Sequence, residues 1–159
     1  MENPNPIVFQ VNDRLERRVY SERDFDDTVD DPFTPQEVYQ MVRSINDPEH
    51  PLTLEQLNVV RVEDIQVHGD RIDLAFTPTI PHCSMATLIG LCIRVQLQRC
   101  IPGRFRVAVR VRPGAHQSEA DINRQLADKE RVCAAIENDK LISVVNQCIA
   151  GPPRVGIAL

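Results

Sequence analysis

The stretch Ser84-Met85-Ala86-Thr87-Leu88-Ile89-Gly90-Leu91-Cys92-Ile93-Arg94-Val95-Gln96-Leu97-Gln98-Arg99-Cys100 decides the fold. It is the longest helical pattern in the chain, and its first half, Met85 to Ile93, is almost wholly apolar. A surface helix carries one polar face; this one has none there, so other elements must cover it on most sides. Pro102-Gly103 ends it. Phe105, Val107, Val109 and Val111 then alternate with Arg104, Arg106, Arg110 and Arg112. That period of two predicts a strand with one apolar face and one arginine face. Upstream, Ile72 to Phe76 reads as a strand ending at Pro78. Val59 to Val67 reads as its partner, joined through Gly69-Asp70, which suits a hairpin turn. Val60 and Val62 share one parity and Ile65 and Val67 the other, which predicts a bulge near Glu63-Asp64.

Further out, Thr34, Pro35 and Glu37 form a helix start: a cap, a proline suited to the first helical position, and the acid of a capping box. Val38, Met41, Val42 and Ile45 share one face, and Asn46-Asp47-Pro48 stops the helix. Thr53 with Gln56 marks a short helical turn. Ser118 opens a third main helix with Ile122, Leu126, Val132 and Ile136 inward. Asp139 caps a last one with Leu141, Val144, Val145 and Cys148 inward, ended by Gly151-Pro152-Pro153. The predicted order is α-β-β-α-β-α-α, without internal repeats. The class is α+β, a small mixed three-stranded sheet packed against helices in two layers. Residues 1–33 read as a flexible acidic tail, with Asp24, Asp26, Asp27, Asp30 and Asp31 close together. Its apolar Ile7-Val8-Phe9 would dock on a partner or on the domain itself. The domain spans 34–150 and a short tail 151–159.

Composition narrows the function. A net charge of −5 and pI near 5.3 argue against bulk attraction to nucleic acid or anionic membrane. No apolar run reaches the roughly 20 residues of a membrane span, and Met1-Glu2-Asn3-Pro4 does not open like a signal peptide. A cytosolic or nuclear location is expected. Five cysteines, an odd count in a reducing compartment, argue against a disulfide framework. With no C-x-x-C pair, a self-contained zinc or one-chain iron–sulfur site is not expected.

Chemistry concentrates in Thr77-Pro78-Thr79-Ile80-Pro81-His82-Cys83-Ser84-Met85-Ala86-Thr87. Two prolines stiffen a strand-to-helix turn and place Cys83 at or just before a helix N-terminus. Free N–H groups and the helix dipole there would favour thiolate, the form that attacks electrophiles and binds metal. The alternative is a small capping residue in a tight turn. His82 is adjacent in sequence without needing to touch the sulfur. His116, in Pro113-Gly114-Ala115-His116-Gln117-Ser118, would join Cys83 as base or metal ligand, or stay an exposed loop residue. His50, in Asp47-Pro48-Glu49-His50-Pro51, is a ligand or a turn residue. Cys92, Cys133 and Cys148 read as core; Cys100 is open. The arginine strand would face phosphates, or a partner or salt bridges; no stacking aromatic interleaves it.

The runs Arg43-Ser44-Ile45-Asn46-Asp47-Pro48-Glu49-His50-Pro51-Leu52-Thr53-Leu54-Glu55, Phe76 to Gly90, and Gln125-Leu126-Ala127-Asp128-Lys129-Glu130-Arg131-Val132 resemble the cytosolic iron–sulfur assembly component 2 family, its B-type most. The family shares its domain with bacterial SufT and PaaD-like proteins. The resemblance covers about residues 34–150, and Asn3-Pro4-Asn5-Pro6 also looks like the B-type tail. Leu91 to Cys100 looks more like the A-type, and Cys133 and residues 151–159 match neither. The resemblance implies an adaptor, not an enzyme, in a complex with a WD-repeat β-propeller protein and a HEAT-repeat scaffold. It would recruit apo-proteins such as polymerases, primase and helicases and aid insertion of [4Fe–4S] clusters, with a link to chromosome segregation and a nuclear and spindle fraction. The family's reactive cysteine matches Cys83; beside it, His82, His116, Ser84 and Thr87 are candidate supporting residues. A cluster would visit Cys83 transiently, with none tightly bound and a homodimer able to bridge it. Asp47, Glu49 and His50, with Arg104, Arg106, Arg110 and Arg112, are expected to dock partners. Two other classes compete. A thiol enzyme or hydrolase would need His82 or His116 within hydrogen-bond reach of the sulfur. A nucleic-acid module would need salt-dependent binding through the arginine strand.

Overall fold

The computed structural model describes residues 3–11 and 32–150. The acidic run at 24–31 and the tail at 151–159 lie outside them. The chain forms helix α1 (Pro35–Val42), strands β1 (Ile65–His68) and β2 (Arg71–Phe76), helix α2 (Ala86–Cys100) and strand β3 (Arg106–Val111). Helices α3 (Glu119–Ala127), α4 (Lys129–Glu137) and α5 (Asp139–Ile149) complete it. This is the expected α+β order. The pattern starting at Ser118 is divided in two at Asp128. There the backbone turns extended, and the Asp128 carboxylate accepts from the N–H groups of Glu130 and Arg131 to cap α4. Asn138, rather than Asp139, caps α5 in the same way. Short polar side chains offer the backbone an alternative to the helical bond, so a heptad-like apolar spacing runs across a real break.

The sheet order is β1-β2-β3, antiparallel in the first pair and parallel in the second, so α2 is the crossover between β2 and β3. Gly69 takes φ +57 in the hairpin, the left-handed value such a turn needs. The long first strand expected from Val59 is shorter. A 3₁₀ turn at Val62–Asp64 takes the place of the expected bulge, and only Ile65–His68 pairs. Val59 and Val60 are still buried, which is why they read as strand.

Helix α2 is central. It packs on α1, α3, α5 and β3, and every residue from Ile89 to Val95 is buried. Gly90 lets it come close to its neighbours: a Cβ there would lie 2.5 Å from Leu126 Cδ1 and 3.1 Å from Phe76 Cε1. Thr34 and Glu37 make the expected capping box on α1. The helix stops at Val42, before Ile45; the Ile45 N–H closes a tighter turn on the Val42 carbonyl at 3.2 Å, and the Asn46 N–H donates to the Cys148 carbonyl at 2.8 Å. Val144, expected inward, is exposed. In the N-terminal segment the Phe9 N–H donates to the Gln56 carbonyl at 2.7 Å, while the side chains of Ile7, Val8 and Phe9 stay exposed.

Candidate functional site

The turn between β2 and α2 is held from both sides. Thr77 N–H donates to Val59 C=O at 2.8 Å, and Cys83 N–H donates to Ile80 C=O at 3.3 Å. From the loop after β3, Gln117 N–H donates to Pro81 C=O at 2.8 Å. His116 completes the tie. Ser118 N–H donates to its Nδ1 at 2.9 Å, so in the neutral ring the proton sits on Nε2, which lies 3.0 Å from the Cys83 carbonyl and donates to it. Both ring nitrogens are thus engaged. His116 fixes the backbone of Cys83 and has no lone pair left for the sulfur or a metal, so in this arrangement it is not a base. His82 is exposed.

The sulfur differs from the sequence expectation of an accessible, acidified thiol. Cys83 is 4% exposed. Burial pushes its pKa up; the Met85 N–H opposes this, and the charges of Glu49 and Asp47 add to it. The reason is position. Helix α2 begins only at Ala86, capped by Met85. Cys83 therefore sits before the first turn, where the dipole acts, and faces inward beside carboxylates. At rest it is a protonated thiol.

Asp47, Glu49 and His50, expected to meet partners, turn inward. Asp47 is buried, and its Oδ1 accepts from Glu49 N–H at 2.8 Å and His50 N–H at 3.1 Å. One ligand-type atom from each of the three lies within 4.8 Å of the others. His50 Nε2 is buried without a hydrogen bond, 3.9 Å from Glu49 Oε2. Two carboxylates and an imidazole are a donor set that divalent iron, zinc or manganese accepts. The charges of Asp47 and Glu49 also add to the upward shift of the Cys83 thiol.

The remaining candidates are dispersed. Ser84 and Thr87 line an apolar groove of about 410 Å³ with Leu88, Leu126 and Leu141. Arg106 and Arg110 point outward from β3 on one face with Ala108 between them, and Asp73 lies opposite Ala108. Arg104 lies before the strand, its guanidinium 5.0 Å from the centre of the Phe105 ring. Arg112 lies beyond the strand, 3.8 Å from Asp64. The arginine face is therefore two residues on the strand and two on its flanks. Cys92 and Cys148 are core as expected, and a hydrogen bond between their thiols, together with burial, holds Cys92 far above the usual thiol range. Cys133, expected in the core, is exposed, as is Cys100. Sequence reasoning passed over Arg94. The signal was an arginine inside the apolar run, and it is buried.

A family model described as iron–sulfur cluster assembly protein matches residues 35–111, from α1 through β3. MIP18 family protein galla-2 of Drosophila melanogaster is 54% identical over 152 residues, 94% of this chain and 96% of that protein. Cytosolic iron-sulfur assembly component 2B of Mus musculus is 52% identical over 152 residues, 94% of this chain and 91% of that protein. The protein of the same name from Dictyostelium discoideum is 48% identical over 159 residues, covering 93% and 97%. Similarity this high along nearly the whole of both chains leaves a single assignment: the chain belongs to the MIP18 family of iron–sulfur cluster assembly proteins.

Proposed function

We propose that this chain is an adaptor of cytosolic iron–sulfur protein assembly, and that it recruits apo-proteins to a targeting complex and aids insertion of their [4Fe–4S] clusters. The supporting observation is the near full-length similarity to component 2B of mouse and Dictyostelium. Its partners would be a WD-repeat β-propeller protein, a HEAT-repeat scaffold and client polymerases, primase and helicases. Chromosome segregation would depend on it through those clients, and it would work in the cytoplasm with a nuclear and spindle fraction. No helix among the described residues is long and apolar enough to cross a membrane.

Cys83 is the chemical centre of this reading. One cysteine cannot hold a cluster alone, so the cluster is cargo, met transiently with further ligands from a partner, a client or a second copy of the chain. Because the resting thiol is buried and protonated, transfer requires the turn to part from His116 and Gln117 and the sulfur to lose its proton. A latent thiol suits a carrier that must not react before docking. The thiol-enzyme alternative is disfavoured by His116, whose two nitrogens are already committed.

The experiment is tagged Cys83→Ser expressed in cells lacking the native protein. The expected result is unchanged co-purification of the propeller and scaffold, with reduced activity of client iron–sulfur enzymes. Full client activity would end the role of the sulfur. Failure of wild type to retain the propeller would end the adaptor reading.

A further inference from the structure

A cavity of about 740 Å³ lies at the other end of α2 from Cys83. Leu97 of α2, Val107 of β3 and Val132 of α4 are among its walls, and among the described residues Arg94, Arg106 and Lys129 are its charged groups, with no Asp or Glu. In a chain of net charge −5, three cations with no acid among the described lining residues run against the bulk composition.

Arg94 is the unusual member. It is 8% exposed. Its Nη1 donates to the Leu126 carbonyl, but its Nε is buried with no hydrogen-bond partner. No carboxylate among the described residues pairs with it, and burial lowers its pKa. The carboxyl end of α3, which carries Leu126, offsets part of the charge, about half a unit. A guanidinium otherwise needs an anion to offset the cost of leaving water. Arg106 and Lys129 are exposed and likewise have no ion-pair partner among the described residues. The planar guanidinium fork suits a carboxylate, and the aliphatic walls suit a hydrocarbon stem. A volume in this range is that of small-molecule sites, with a few convergent polar groups in an apolar setting.

We propose that this cavity is a binding site for a small organic carboxylate with an aliphatic body, its head on Arg94, Arg106 and Lys129 and its stem against Leu97 and Val132. The site is separate from Cys83 and does not rest on the proposed adaptor role. Cys133 also lines the cavity and is exposed, so its alkylation reports occupancy.

Hexanoate is the probe, with hexanol and sodium chloride at matched ionic strength as controls, applied to the full chain with Cys100 replaced by Ser. The expected result is saturable protection of Cys133 from iodoacetamide, at least fivefold at saturation, by hexanoate and not by either control. The double variant Arg106→Ala/Lys129→Ala, altered only at exposed positions, should weaken that protection at least tenfold in concentration. Arg94→Met should abolish it, if that variant keeps the wild-type circular dichroism spectrum; the double variant decides the matter where it does not. Protection by hexanol equal to that by hexanoate, protection unchanged in the double variant, or no protection at all would overturn the proposal. Equal protection by inorganic phosphate would overturn the aliphatic half of it.

Discussion

The two ends of α2 have opposite electrostatics. Before its N-terminus, Cys83 is buried beside Asp47 and Glu49, a setting that resists negative charge on sulfur. Toward its C-terminus, buried Arg94 and exposed Arg106 and Lys129 line a cavity that has no acid among the described residues. The helix itself, 15 residues and apolar through its middle, insulates one from the other across about 20 Å. The comparison teaches that one helix can hold a thiol in its protonated form at one end and a cationic cavity at the other. Each end excludes by charge what the other would accept.

The comparison can be broken most forcefully at the C-terminal end of α2. Leu97 is fully buried, belonging both to the core and to the cavity wall. Leu97→Ala should cost about 2–5 kcal/mol, read from the urea midpoint. A loss below about 1 kcal/mol would mean that the C-terminal half of α2 is not packed as described. Next in size is His116→Ala, which removes the tie to the Cys83 carbonyl and leaves the Ser118 N–H without its acceptor. It should cost about 1–3 kcal/mol and speed alkylation of Cys83 severalfold while leaving Cys133 unchanged. Equal acceleration at both would show global loosening instead of a local tie.

A smaller effect sharpens the contrast at the N-terminal end. With the Cys83 pKa raised by burial and by the nearby carboxylates, its alkylation rate should still be climbing at pH 9. In Glu49→Gln the curve should move to lower pH, since one source of the upward shift is gone. A plateau below pH 8 in wild type would contradict the protonated resting state. The smallest effect lies beside the cationic end. Arg71 faces Arg106 across β2 and β3, and Asp73 binds Arg71 at 2.7 Å through Nε. The hydrogen bond from Arg71 holds the Asp73 carboxyl below its ordinary value. A carboxyl lowered in the folded state stabilises above its unfolded pKa, near 3.9, and loses that contribution as pH falls through the folded value. Arg71 is largely exposed, so the gain is small. Asp73→Asn should melt slightly below wild type at pH 7, and the two should converge as the pH falls through the lowered folded-state value; a constant gap would assign the loss to packing.

Much of the fold was legible because its signals are local. Thr34 and Glu37 cap α1 three residues apart, Gly69 turns the hairpin, and the β3 alternation is visible within seven residues. Element ends were less so. Val59 and Val60 are apolar for the core without being paired, and Asp128 divides a continuous apolar spacing by capping α4. At the candidate site the sequence picked out Cys83, His116 and the Asp47–His50 run but not their relation, because His116 reaches Cys83 from 33 positions away.

Sequence alone determined the class, the order of elements, the buried central helix and the Pro-bracketed cysteine, since caps, periodicity and turn chemistry act over a few neighbouring residues. Tertiary structure alone decided the protonation of that cysteine, the double engagement of His116 and the isolation of Arg94. Those properties come from desolvation and from charges brought together by packing, and such long-range proximity leaves no mark on the local pattern of residues.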